Sequence, residues 1–260
     1  MEIARKSIFV PWDYSDKAKC AFEHAYNLSK TFNKEIVLLN IVDKEKYISD
    51  AEPKLKEEAE KLQTESGINI KHVVAAGNLY KTIPAIAKEK DASLIVMGMH
   101  SSKRSMKTVM GSEVPFFIVQ EKPKRNKIIE VVVPIDTDDK NRVQLNWVIY
   151  IAKHFECNIN IIKPFINKDS KNRKMKANMF FARRALDAKH VVYGIRTAKR
   201  EDKWSHAVSK FANEIDSDLI FVMSHDFKKF MKRMEGENMK IPIICINPAT
   251  GLTLLPGKFA

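Results

Sequence analysis

One pattern is written twice in this chain, in the same frame. Ser7-Ile8-Phe9-Val10-Pro11-Trp12-Asp13 returns as Glu130-Val131-Val132-Val133-Pro134-Ile135-Asp136, displaced by 123 residues. The same displacement carries Asp16-Lys17 onto Asp139-Lys140, Phe32 onto Phe155 and Ile36 onto Ile159. Further along, Asp91-Ala92-Ser93-Leu94-Ile95 matches Asp216-Ser217-Asp218-Leu219-Ile220, and His100 matches His225, at a displacement of 125. So small a drift over a whole half marks a duplicated domain. The unit is too long for a solenoid repeat, so each copy must carry its own core. The 260 residues divide into copies at 1–121 and 127–248 and a tail at 249–260. The join, Glu121-Lys122-Pro123-Lys124-Arg125-Asn126-Lys127, has the charge and proline of a linker. The tail keeps Leu252, Leu254, Leu255 and Phe259, which gives it something to pack with.

Within each copy, short β-branched runs alternate with helical stretches, the pattern of a parallel sheet covered by helices. Strands are expected at 7–11, 35–42, 68–75, 93–98 and 115–120, and again at 131–134, 158–164, 190–196, 219–223 and 242–247. Helices are expected at 15–32, 52–66 and 79–90. Ser15 is the N-cap of the first, and Pro53 sits in the first turn of the second, where a missing N–H costs nothing. Unbroken apolar strands such as Leu94-Ile95-Val96-Met97 suit a sheet buried on both faces. The fold class is therefore α/β, two Rossmann-like domains of five parallel strands each.

Composition narrows the function classes. No apolar run approaches the ~18 residues of a membrane span, and residues 1–6 lead into a strand with no signal-peptide pattern. Cys20, Cys157 and Cys245 are widely spaced and odd in number, which points to a reducing compartment, the cytoplasm, and away from disulfides or a metal site. The net charge is +13. Basic excess attracts anionic partners, but no contiguous Lys/Arg block with interleaved aromatics stands out, so nucleic acid is not expected.

In an open parallel sheet, ligands bind beyond the carboxyl ends of the strands, where strand order reverses. Pro11 and Asp13, Ile41, and Gly98 with His100 and Ser101 fall there in the first copy; Asp136 and His225 fall there in the second. Asp13 has two readings, a carboxylate for a ribose or amine group, or a cap that ties down its own loop. Thr137-Asp138-Asp139 beside Asp136 would repel phosphate. The two histidines lack a partner at catalytic spacing and read as hydrogen-bonded turn residues.

Val10-Pro11-Trp12-Asp13-Tyr14-Ser15, Gly77-Asn78-Leu79 and Asp91-Ala92-Ser93-Leu94-Ile95-Val96-Met97-Gly98-Met99-His100 resemble the universal stress protein family, in both copies and more weakly in the second. The resemblance implies a Rossmann-like (adenine nucleotide alpha hydrolase-like) five-stranded sheet, pairing of domains through the last strand and, in one branch, ATP binding. That branch carries a loop Gly-x-x-Gly-x9-Gly-Ser/Thr. Here Gly98, then Ser101 in place of the second Gly, then Gly111-Ser112 nearly fit it.

Chain length speaks against a working loop. A parallel crossover needs roughly a dozen residues including its helix. If Gly111-Ser112 held phosphate at a helix start, only Glu113-Val114 would remain for that helix. The expected arrangement is a helix at 102–110 with Gly111 as its C-terminal cap, and in the second copy one short helix, 227–234, ended by Gly236.

Those two helices are basic, with Lys103, Arg104 and Lys107 on one and Lys228, Lys229, Lys232 and Arg233 on the other. They are either anion contacts or solvated faces. The last strands, with Phe116 and Ile118, and Ile243 and Cys245, are apolar edges that invite pairing, giving an internal pseudo-dimer and leaving homodimers and protein partners open. The reading this supports is a non-catalytic stress-response binding or regulatory module with no cofactor. The alternatives are an ATP-binding first domain and a basic adaptor for an acidic protein or nucleic acid.

Overall fold

The computed structural model describes residues 7–98, 103–237 and 240–248, with 103–105 given by backbone alone. His100, Ser101 and the tail from 249 lie outside the described residues. The first half runs β1 (Ser7–Pro11), α1 (Asp16–Phe32), β2 (Glu35–Val42), α2 (Ile48–Ser66), β3 (Ile70–Ala76), α3 (Leu79–Glu89), β4 (Ala92–Gly98), α4 (Lys103–Gly111), β5 (Phe116–Val119). The second repeats it with β6 (Glu130–Pro134), α5 (Gln144–Phe155), β7 (Asn158–Lys163), α6 (Asp169–Asp187), β8 (Tyr193–Thr197), α7 (Trp204–Glu214), β9 (Leu219–Met223), α8 (Ser224–Gly236), β10 (Ile243–Ile246).

The ten strands form one sheet, ordered β3-β2-β1-β4-β5-β10-β9-β6-β7-β8. Each half is parallel, and strand order reverses at β1 and at β6. The halves join antiparallel through β5 and β10, with Ile118 opposite Ile243 and Phe116 opposite Cys245. Burial explains the seam: all four side chains are almost fully covered. Left open, either edge would present unpaired backbone and apolar side chains to water. On one face, Phe32 of α1 packs on Tyr150 and Phe155 of α5, at centroid distances of 4.8 and 5.6 Å. On the other, α4 packs on α8, and the Asn247 side-chain amide donates to the Met110 carbonyl at 2.8 Å.

Strand alternation sends Ile8 and Val10 into one apolar layer, under α1 and α2, and Phe9 into the other, under α3 and α4; both layers continue across the seam. The join is pinned at both ends. Lys122 pairs with Glu23 at 2.6 Å, and Arg125 pairs with Asp216 and Asp218. Ser93 and Ser217 do equivalent work in the two halves. Each hydroxyl donates to the first residue of the neighbouring strand, Ser7 at 2.8 Å and Glu130 at 3.0 Å.

Several strand ends shift by one to three residues from the sequence expectation, β8 starting at Tyr193 instead of 190 and β3 at Ile70 instead of 68, and three further differences have a local cause. α2 starts at Ile48, fed by a 3-10 turn at Glu45–Tyr47, so Pro53 lies inside the helix instead of in its first turn. α8 begins at Ser224, directly after β9, because Ser224-His225-Asp226 form its first turn, with the Asp226 carboxylate at the positive helix end. Gly111 is the last residue of α4 and has no left-handed φ, so it is not the expected glycine cap. Ser112 makes the turn instead, its amide on the Val109 carbonyl at 3.4 Å and its hydroxyl donating to the Val114 carbonyl at 2.7 Å.

Candidate functional site

In the first half a crevice of about 680 Å³ opens at the carboxyl ends of β1, β2 and β4. Pro11, Asp13, Ile41 and Gly98 line it, so the topology brings these four sequence candidates together. The loop after β1 is held by backbone and side chain in turn. Trp12 N–H donates to the Leu39 carbonyl at 2.8 Å, and the Asn40 amide donates to the Trp12 carbonyl at 2.7 Å. The Trp12 indole is buried, edge-on to Tyr14 and Phe22. Asp13 accepts from Ser15 N–H at 3.0 Å through Oδ1, so the loop-tying reading is realised while the residue still faces the crevice. Ser15 caps α1, its hydroxyl accepting from Ala18 N–H at 3.2 Å.

Lys17, Asn40, Tyr80 and Thr108 also line the crevice and were not among the sequence's site candidates. Asn40 left a readable sign, a lone amide inside the apolar run Val37-Leu38-Leu39 to Ile41-Val42. Lys17 recurs as Lys140, and its ammonium donates to the Gln120 carbonyl at the end of β5. Gly98 has a packing reason to be glycine: a Cβ there would meet the Lys17 carbonyl oxygen at 2.2 Å. Gly111 is different. It ends α4, a helix about 13 Å long, and a Cβ on it would meet nothing within 4 Å.

The second half builds its corresponding loop far more rigidly. Asp136 Oδ1 accepts from Asp138 N–H at 2.8 Å and from the Asn141 amide at 2.6 Å. The Asn178 amide donates to the carbonyls of Asp136 and Asp138, at 2.9 and 3.0 Å. Gln144 donates to the Pro134 carbonyl at 2.9 Å. Asn141, Gln144 and Asn178 are buried. Two adjoining crevices, about 240 and 540 Å³, share Asp136 and Asp226. The larger also holds Asp138 and Asp139. His225, in the first turn of α8 and not in a turn, stands 3.7 Å from Asp138 and 3.4 Å from Asp226. Among the described residues, no group of His, Cys, Asp and Glu is placed to hold a metal ion.

Of the basic candidates, Lys228 is exposed on α8, and Lys229 is turned onto Asp226 at 3.6 Å beside the smaller crevice. The side chains of Lys103 and Arg104 lie outside the described residues. Among the described residues, no helix is long and apolar enough to cross a membrane.

These features, a sheet reversing at β1 with a crevice above it and a closing edge strand, match what comparison with known proteins finds. The profile of the universal stress protein family matches residues 4–114. Residues 4–114 therefore carry a universal stress protein domain. Universal stress protein MJ0577 of Methanocaldococcus jannaschii is 24% identical over 161 residues, covering 51% of this chain and 97% of that protein. Among solved structures, a universal stress protein from Archaeoglobus fulgidus matches with a TM-score of 0.74 and 17% identity, covering 94% of this chain and 97% of that one. A universal stress protein from Pseudomonas aeruginosa gives 0.68 and 13%, covering 95% of each. At such identities the structures speak for the fold alone, and they do so for both halves.

Proposed function

We propose that this chain is a non-catalytic binding and regulatory module whose two halves, 1–121 and 127–248, have both lost the glycine loop for a triphosphate. The observation that carries this reading is the position of Gly111-Ser112. The pair closes α4 at its C-terminal end, and the Ser112 hydroxyl is buried on the Val114 carbonyl. On this reading neither holds a phosphate over β4. In the second half, β9 passes into α8 without a loop, and the carboxylates Asp136, Asp138, Asp139 and Asp226 outnumber the cations Arg142 and Lys174 around the crevice. The first-half crevice then takes a small molecule without a triphosphate, seated on Pro11, Asp13, Ile41 and Gly98.

A second reading keeps ATP in the first half. It is favoured by the size of that crevice, about 680 Å³, which falls within the range of ligand pockets. Mass spectrometry of the denatured, freshly purified protein separates the two. The first reading expects no stoichiometric adenine nucleotide; its release in molar amount supports the second and removes the first.

A further inference from the structure

The helices at the two outer edges of the sheet have opposite charge. α2 carries three Lys against six Asp/Glu, whereas its counterpart α6 carries six Lys/Arg against two Asp. Met175, Met179, Ala182 and Leu186 commit one face of α6 to the core. At 100° per residue Arg173, Phe180 and Arg184 stand with Ala177 on the opposite face, and Lys176 flanks them one turn before Phe180. All five are exposed. Phe180 is 68% accessible, the most exposed aromatic ring among the described residues. No carboxylate among the described residues lies at ion-pair distance from these cations.

From this stripe we propose that α6 is a binding surface for single-stranded nucleic acid, with Phe180 as a stacking platform and Arg173, Lys176 and Arg184 on the flanking phosphates. Non-specific single-strand binders combine these two elements, a cationic track and an aromatic face that any base can stack on. The helix spaces them one turn apart, roughly 5–6 Å. Phe181 is the next ring along the helix, and the Arg142 guanidinium covers it at 4.9 Å. Only one ring therefore stands free, which suits a base better than it suits insertion into a bilayer. The sequence reading set nucleic acid aside because it sought a contiguous basic block. The stripe takes shape only when Arg173 to Arg184 is wound into a helix.

Fluorescence anisotropy of the full chain with labelled oligouridylate and oligothymidylate, over a potassium chloride series, tests this. Saturable binding at low salt is expected, with a log–log salt slope of about −2 for three phosphate contacts on a single strand. Phe180→Ala should weaken binding about tenfold at unchanged slope, and Phe180→Trp should restore it. Arg173→Gln with Arg184→Gln should reduce the slope by about 1.4. The proposal is overturned by no binding at low salt, or by binding indifferent to these variants. Polyglutamate retained as tightly as the oligonucleotides, regardless of Phe180, would also overturn it. So would sedimentation with phosphatidylglycerol vesicles, or salt-sensitive self-association, in the absence of oligonucleotide binding.

Discussion

Gly98 packs its Cα against the carbonyl of Lys17, so closely that a Cβ would come within 2.2 Å of that oxygen. The end of β4 and the first turn of α1 meet there, on the wall of the first-half crevice. Gly98→Ala should lower stability by about 1–3 kcal/mol, the usual cost of overpacking a tight contact, read as a shift in the urea midpoint. Gly111→Ala is the contrasting variant. With nothing within 4 Å and no left-handed φ, it should be neutral, or stabilise by about 0.5–1 kcal/mol as Gly→Ala does in a helix.

Acid should loosen the join between the halves through His24. Burial pushes its pKa below the ordinary value, outweighing the hydrogen bond from Nε2 to the Glu121 carbonyl at 3.0 Å. With the folded value depressed, the unfolded chain binds the extra proton first. Stability is then complete above about pH 6.5 and falls as pH drops through the depressed value. Melting temperatures across that window, compared with a His24→Gln variant, should show the wild-type slope reduced in the variant.

The three thiols should separate kinetically. Burial pushes the Cys157 thiol up to about 12 and holds Cys245 higher still, and both side chains are covered. Cys20 is partly exposed on α1. Titration of the native protein with a disulfide reagent should therefore release one equivalent quickly, lost in Cys20→Ser. The other two should follow only on unfolding.

Asp218 fastens the second half to the join. Its Oδ2 accepts from Ile129 N–H at 2.8 Å and Glu130 N–H at 3.0 Å, and Arg125 reaches the same carboxylate. Asp218→Ala should cost about 1.5–3 kcal/mol, the range for hydrogen bonds to a charged acceptor. Faster proteolysis within 122–129 should accompany that loss.

The sheet, its doubling and its seam were legible because they rest on local periodicity. Strands such as Leu219–Met223 are unbroken apolar runs, and Phe116 to Val119 and Ile243 to Ile246 are too apolar to stand as free edges. The loops were less legible. Asn40 and Asn178 hold them through amides that reach backbone carbonyls far along the chain, and such bonds leave no local pattern. The start of α8 at Ser224 was hidden for a related reason: Ser and His have no strong helix preference, and strand geometry upstream decides where the helix begins. The outer stripe of α6 was missed because charge was read along the chain and not around a helix.

Calorimetric titration with ATP and Mg²⁺ tests the central claim most directly. If Gly111 and Ser112 close α4 and hold no phosphate, the wild-type protein should give no binding heat, and Gly111→Ala should behave identically. A micromolar isotherm that disappears in Asp13→Ala and weakens in Gly111→Ala would contradict the account.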